Sequence, residues 1–260
     1  MTSPAVRRLL ACALALFLSA CSATQPHGHY VHESPPLRVG VSPDSAPYVF
    51  WQRDHYEGVE VDLAERLTAA LGLRVEIVSV PWDEQIPALL AGRTDVIMSG
   101  MSITPERARR VAFGDAYVTT ALQGVVRRDD ARRWPTPEDL LRTSPRIGVK
   151  KGTTGEAFVR QRRPDENIVV YGRSRDAINE LMNFRIDVYV SDAPVISAAV
   201  ASHPDRLIAY PRDVGKQQIA WAFRPGDADL RRDANAVLAT WRKDGTLERV
   251  LRAWPTILDQ

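Results

Sequence analysis

Leu89-Leu90-Ala91-Gly92-Arg93-Thr94-Asp95-Val96-Ile97-Met98-Ser99-Gly100 is echoed further along the chain by Leu181-Met182-Asn183-Phe184-Arg185-Ile186-Asp187-Val188-Tyr189-Val190-Ser191-Asp192. Five of the twelve positions are identical, and most of the others keep their character. Each copy reads as the end of a helix, an Arg-x-Asp turn, a short apolar strand, and polar residues at the strand's carboxyl end. A unit of this kind used twice predicts two similar α/β lobes. The continuations differ: Ser102-Ile103-Thr104-Pro105-Glu106-Arg107 follows the first copy, and Asp192-Ala193-Pro194 closes the second. One lobe then offers hydroxyls and a cation and the other a carboxylate, a pairing complementary to the two ends of a zwitterion.

Outward from the repeat, Leu37-Arg38-Val39-Gly40-Val41 alternates as a strand closed by the turn former Pro43-Asp44-Ser45. Leu63, Leu67, Ala70 and Leu71 recur at helical spacing until Gly72, and Val75 to Val80 reads as the next strand. Ile86, Leu89 and Leu90 share a helical face, and Asp95 to Ser99 forms the third strand. Thr104 is placed to cap a helix with Pro105 at its first position, a device repeated at Thr136-Pro137. Arg146-Ile147-Gly148-Val149 opens the second lobe and runs into Lys150-Lys151-Gly152-Thr153-Thr154-Gly155, and Ser174 is expected to cap the helix carrying Leu181 and Met182. The alternation predicts parallel sheets covered on both faces. Val118 to Arg128 and Lys216 to Phe223 read as two crossings between lobes, a hinge with the ligand site where strand ends meet across the cleft. The expected lobe ranges are 37–122 plus 220–260, and 126–214.

Residues 1–20 read as an address: Arg7 and Arg8, then an apolar run from Leu9 to Leu18 that is short for a membrane span. Leu18-Ser19-Ala20-Cys21 resembles the lipobox of bacterial lipoproteins, which implies cleavage before Cys21 and its lipidation. Cys12 leaves with the leader, so neither a disulfide nor a cysteine metal site is expected. Beginning at Cys21, the chain keeps 240 residues, and its formal charge falls from +2 to zero because the leader holds two arginines and no acid. Such a balance speaks against nucleic acid as a partner, and runs such as Arg160-Gln161-Arg162-Arg163 read as solvated helix faces. Residues 21–36 read as a flexible tether, where His27, His29 and His32 lack a carboxylate or cysteine at fixed spacing to complete a metal site. No cofactor is expected.

Gly58-Val59-Glu60-Val61-Asp62-Leu63, Trp82-Asp83-Glu84-Gln85-Ile86-Pro87-Ala88-Leu89, Ser99 to Arg107, Phe113-Gly114-Asp115-Ala116-Tyr117, Gly152-Thr153-Thr154 and Asp244-Gly245-Thr246 occur in this order along residues 37 to 254. Together they resemble the bacterial extracellular solute-binding proteins of family 3, the polar amino-acid receptors of ABC importers. The resemblance implies a periplasmic-binding-protein-like type II fold, two α/β lobes joined by a two-segment hinge. It implies that Arg107 forks onto a ligand carboxylate shared with Ser102 and Thr154, and that Asp192 accepts the ligand ammonium. A carboxylate at Asp192 could also cap the helix that starts at Ala193-Pro194. Trp82 and Tyr48 fall where relatives line the ligand's aliphatic part, although rings there also serve as core. Ser99 and Gly100 would contribute a carbonyl and close backbone approach. Ser42 stands near the position where relatives that prefer lysine or arginine carry an acid. Lys150 either favours an acidic or amide side chain or faces solvent, so polar, non-cationic amino acids are the preferred ligand class.

The implied protein is a monomer on the periplasmic side of the envelope, tethered to the membrane by Cys21, which delivers its ligand to an inner-membrane ABC permease. Cyclohexadienyl and arogenate dehydratases share the fold and resemble this chain through the strand, the Ser-Ile segment and the Asp-Ala turn. They differ in carrying a Thr-Thr-Gly-Asp segment where this chain has Ser42-Pro43-Asp44-Ser45, and a glutamate proton donor three residues after the aspartate. Here that position is Val195, which has no proton to give. A lytic transglycosylase would need a further catalytic domain, for which the chain to Gln260 leaves no room. A sensor subunit reporting to a signalling partner would use the same binding and closure.

Overall fold

The alternation of Leu37-Arg38-Val39-Gly40-Val41 builds β1 (Leu37–Val41), with Val39 and Val41 fully buried. The structure, a computed structural model, describes residues 35–134, 143–163, 167–210 and 214–257. The leader, Cys21, the three tether histidines and the Thr136-Pro137 cap lie outside the described residues. An antiparallel unit of β2 (Asp44–Ser45), β3 (Val49–Gln52) and β4 (His55–Glu57) follows β1 and leads into α1 (Val59–Ala70). The stripe of Val59, Leu63 and Leu67 turns α1 inward. Next come β5 (Val75–Ser79), a single turn at Trp82–Glu84, α2 (Gln85–Leu90) and β6 (Val96–Ile97). As its sequence predicts, Thr104 caps α3 (Pro105–Ala108), its side chain accepting the Arg107 amide at 3.2 Å, with Pro105 in the first turn.

After β7 (Ala112–Phe113), β8 (Val118–Arg127) carries the chain into the second lobe. That lobe is built from β9 (Ile147–Lys150), α4 (Thr154–Arg162), β10 (Ile168–Tyr171), α5 (Ser174–Met182), β11 (Val188–Asp192), α6 (Ala193–Ser202) and β12 (Leu207–Ala209). The return passes through β13 (Val214–Ile219) and β14 (Ala222–Phe223) to α7 (Ala228–Lys243) and α8 (Thr246–Arg252). One expected cap fails. Ser174 is the first residue of α5 with no capping bond, because its hydroxyl is taken by the buried Tyr189 hydroxyl at 2.9 Å.

The first sheet has the order β5-β1-β6-β14-β7 and the second β10-β9-β11-β8-β12, with β13 also paired to β8. β1 runs parallel to β5 and β6, and β9 parallel to β10 and β11, as strand–helix alternation demands. The expectation of purely parallel sheets fails at the crossing strands: β14 is antiparallel to β6, and β8 to β11. A strand that enters a sheet from the cleft must run against strands that end there. Beyond the stretch of β8 that pairs with β11, β8 and β13 pair antiparallel, Val118 opposite Ile219 and Thr120 opposite Gln217, which makes the hinge a two-stranded ribbon. Trp221, Phe223, Leu63, Leu67, Leu238 and Trp241 form one core over the first sheet. The second sheet is covered by Leu181, Ile186 and Tyr189 on one side and by Trp134, Ile147 and Val149 on the other. Each such large side chain contributes about 1.5–3 kcal/mol when fully buried.

The repeat has a basis in paired arginines. Asp95 accepts the Arg38 amide at 3.0 Å, its guanidinium at 2.7 and 3.0 Å, and Arg224 at 3.1 Å. Asp187 accepts the Arg146 amide at 2.9 Å, its guanidinium at 2.8 and 3.1 Å, and Arg127 at 3.4 Å. The second arginine of each set also donates to the turn carbonyls, Arg224 to Leu89 and Thr94, Arg127 to Leu181 and Ile186. Burial works to raise both carboxyls, but the arginines outweigh it and hold Asp95 and Asp187 below the usual range. The copies diverge at Gly92 and Phe184, which share a left-handed backbone with φ of 71° and 61°. Phe184 accepts that strain while its ring lies 4.5 Å from the Arg127 guanidinium.

Candidate functional site

The strand ends at the cleft converge on a small cavity. It is lined by Tyr48, Trp82, Ser99, Gly100, Ser102 and Arg107 from the first lobe, and by Lys150, Thr153, Thr154, Ser191, Asp192 and Val195 from the second. Of the residues singled out from sequence, all but Ser42 reach this cavity. Ser42 is buried beside it, its amide donating to Ser99 Oγ at 2.9 Å and its hydroxyl to Asp44 at 2.9 Å. The cavity volume is about 30 Å³, room for roughly one or two waters. A second, open groove of about 650 Å³ lies alongside, shares Trp82, Ser174 and Val195 with the cavity, and lacks Arg107 and Asp192. Arg107 and Asp192, the two residues expected to hold the ends of a zwitterion, therefore meet at the smaller space.

Arg107 is presented by the capped turn of α3. Its Nη1 donates to the Ser102 carbonyl at 2.9 Å, and its Nη2 crosses the cleft to the Gly152 carbonyl at 3.0 Å. Its guanidinium stacks 5.3 Å from the Trp82 ring, whose Nε1 also donates to the Gly152 carbonyl at 3.1 Å. Burial lowers the Arg107 pKa, with Asp192 and Glu106 pulling the other way. Thr153 caps α4, accepting the Glu156 amide at 3.2 Å, so Thr154 stands at a helix N-terminus that faces the cavity. These donors form an acceptor-seeking end of the site.

Asp192 ends β11 and precedes Ala193-Pro194 at the start of α6. Its side chain makes no capping bond there and instead accepts Gln217 Nε2 from the hinge strand at 3.1 Å. Burial pushes its carboxyl up to about 6, against the pull of Gln217, Arg107 and Lys150. The capping alternative at Asp192 therefore fails, and the residue lines the cavity.

Lys150 is buried, only 3 % exposed, and its Nζ crosses to Asp44 at 2.7 Å and Ser45 at 3.1 Å. Burial lowers its pKa, opposed by Asp44, Asp192 and Asp83. The neighbouring Lys151 makes an exposed bridge to Asp83 at 2.8 Å. Tyr48 is almost fully buried, and its ring fills the space in which a Gly100 side chain would stand, 2.7 Å from the Cβ position. Sequence reasoning missed Asp44, Gln217 and Glu60. Asp44 was visible only as a turn former, Gln217 only as part of a crossing strand, and Glu60 only as a motif letter.

Two α/β lobes, a hinge of two strands and a polar cavity between them define a type II periplasmic-binding architecture. The chain belongs to the bacterial extracellular solute-binding proteins, family 3, whose profile matches residues 37–256. It is 27% identical over 225 residues to the L-cystine-binding protein TcyJ of Escherichia coli (strain K12), covering 86% of this chain and 84% of that one. It is 24% identical over 246 residues to the cyclohexadienyl dehydratase of Pseudomonas aeruginosa, covering 94% of this chain and 92% of that one. Among solved structures, the ancestral amino acid-binding protein AncCDT-1, a precursor of cyclohexadienyl dehydratase, superposes with a TM-score of 0.78 at 34% identity, covering 84% of this chain and 95% of that chain. Among the described residues no helix is long and apolar enough to cross a membrane.

Proposed function

We propose that the protein is a lipid-anchored receptor of the periplasmic side of the envelope that closes on a polar, non-cationic amino acid and delivers it to an ABC permease of the inner membrane. The observation that carries this reading is the convergence of Arg107 and Asp192, from opposite lobes, on one cavity. A ligand carboxylate would replace the Ser102 and Gly152 carbonyls as the acceptor for Arg107, joined by the Ser102 hydroxyl and the α4 N-terminus at Thr154. The ammonium would pair with Asp192 and the Ser99 carbonyl, with Trp82 and Tyr48 against the aliphatic part. Lys150 occupies the side-chain end of the cavity, where it disfavours a second cation and favours an acceptor oxygen. Ser42 acts behind it by holding Asp44.

A ligand held by both lobes stabilises the closed state through contacts it makes only there. The lobe ranges 37–122 plus 220–260 and 126–214, the leader 1–20, the tether 21–36, lipidation at Cys21 and a monomeric state complete the proposal. The dehydratase relative supports an enzyme reading less well, because Val195 lines the cavity where that activity calls for an acid.

The test is calorimetry of the full-length protein against the twenty amino acids, L-cystine and prephenate. Binding of a neutral or acidic amino acid, lost in Arg107→Ala and Asp192→Ala, is the expected result; turnover of prephenate to phenylpyruvate would overturn it. Palmitate labelling that disappears in Cys21→Ala tests the anchor.

A further inference from the structure

Glu60 lies in the first turn of α1, is fully buried, and has no ion-pair partner among the described residues. Burying a carboxylate without a cation is costly, so its hydrogen bonds must be good and its retention calls for a reason. Oε1 accepts the Gly100 amide at 2.6 Å and the Tyr117 hydroxyl at 2.8 Å, and Oε2 accepts Trp221 Nε1 at 3.1 Å. The donors come from three segments that meet at the cleft. Gly100 lies beyond the end of β6 in the cavity wall, Tyr117 immediately precedes β8, and Trp221 lies between β13 and β14. Main-chain bonds join the same segments, from Tyr117 to the Ile219 carbonyl at 2.9 Å and from Ala220 to the Met101 carbonyl at 3.1 Å.

The bond to Gly100 has a consequence for the cavity. In a trans peptide the N–H and the preceding C=O point in opposite directions. With the Gly100 N–H held by Glu60 in the core, the Ser99 carbonyl is turned the other way, toward the cavity that Ser99 and Gly100 line. Gly100 has φ of +69°, and a glycine restrains its own peptide plane less than any other residue. The carboxylate therefore supplies the restraint that the backbone lacks.

The titratable groups around Glu60 are Tyr117 and Tyr48, with Asp192 beyond them, and none brings a positive charge. Burial pushes Glu60 up to about 7, against the pull of its three donors. Arg107 and Lys150 act on Asp192 but not on Glu60, so an ammonium arriving at the Ser99 carbonyl is the cation that Glu60 lacks.

We propose that Glu60 is a positioning residue for ligand capture: it orients the Ser99–Gly100 peptide so that the Ser99 carbonyl receives the ligand ammonium, and it ties that peptide to both strands of the hinge. The proposal rests on the reading of the cleft as an amino-acid site, and its test separates the two. In ligand-free, full-length protein, the NMR signals of the Gly100 amide and the Trp221 indole N–H are followed from pH 5 to pH 9. Both are expected to titrate together with a midpoint near 7, and both to lose that titration in Glu60→Gln while the fold, read by Tm and circular dichroism, is kept. Signals that do not titrate, or that titrate unchanged in Glu60→Gln, overturn the proposal whether or not any ligand binds. For each of the twenty amino acids that binds the wild type, Glu60→Gln is expected to weaken binding at least tenfold, and Glu60→Asp to restore part of the loss. Equal affinity in Glu60→Gln also overturns it. A wild type that binds no amino acid removes the functional reading and with it the ligand role of Glu60, whatever the NMR signals do.

Discussion

The ammonium of Lys150, on the second lobe, reaches the carboxylate of Asp44, on the first, at 2.7 Å. This pair places a buried cation in the cavity wall, and Trp82 lies 5.3 Å from the same Nζ. Methionine keeps the length and apolar stem of lysine and removes the charge. Lys150→Met leaves Asp44 facing the cleft without its partner, a place for a cationic side chain. Affinity for L-arginine and L-lysine is expected to rise at least tenfold, and affinity for L-glutamine and L-glutamate to fall. Calorimetry against these four ligands decides it, and an unchanged order of preference would remove Lys150 from the specificity determinants.

Gly100→Ala is expected to be more damaging than Gly92→Ala although both glycines have positive φ, 69° and 71°. At Gly92 a Cβ meets nothing within 4 Å, so the cost is conformational, about 1–2 kcal/mol. At Gly100 the Cβ position is 2.7 Å from the Tyr48 ring, and overpacking adds about 1–3 kcal/mol. Urea midpoints measure the difference. Amino-acid binding should survive in the first variant and fail in the second, since only Gly100 belongs to the cavity wall.

The two-lobed fold and most of the site were legible because they rest on local patterns. Thr104, Pro105 and Arg107 announce a capped turn within four residues, and the repeat announces a helix–turn–strand unit at each of its copies. What stayed hidden are side-chain partnerships across long separations. Arg224 finds Asp95 from 129 residues away, Lys150 finds Asp44 from 106, and Trp221 finds Glu60 from 161. No periodicity records such a pairing. Ser174 was misread for a related reason, since a serine at a helix start has the look of a cap until Tyr189 claims its hydroxyl. The antiparallel strands followed from connectivity between lobes, which strand–helix alternation does not encode.

Phe184 is exposed and left-handed where the first copy of the repeat has Gly92. The conformation costs about 1–2 kcal/mol for a residue with a side chain. Its contact with Arg127 returns about 0.5–1 kcal/mol at an exposed site. The extra freedom glycine gives the unfolded chain costs about a further 0.4–1 kcal/mol, so Phe184→Gly is expected to leave stability within about 0.5 kcal/mol of wild type. The urea midpoint should stay close to the wild-type value with no change in slope and no change in ligand affinity. A fall would show that the ring protects the Arg127 bonds to Leu181 and Ile186 more strongly than the exposed contact suggests.

Asp192 gives ligand binding a pH dependence of defined sign. Without ligand, burial holds its carboxyl up to about 6, above the usual carboxylate value. Because the folded state binds the proton more tightly than the unfolded chain does, this group makes the ligand-free protein less stable as pH rises from about 4 to about 6. Ligand reverses the preference, since an ammonium beside Asp192 favours the charged form. Below about pH 6 binding must then release a proton, and affinity should fall by up to tenfold for each further unit of acidity. Calorimetry at pH 5 in two buffers of different ionisation heat reads the released proton directly. Asp192→Asn, weak at every pH, should show neither this proton release nor this slope. A wild-type affinity that is flat from pH 7 to pH 5 would place the ligand ammonium away from Asp192.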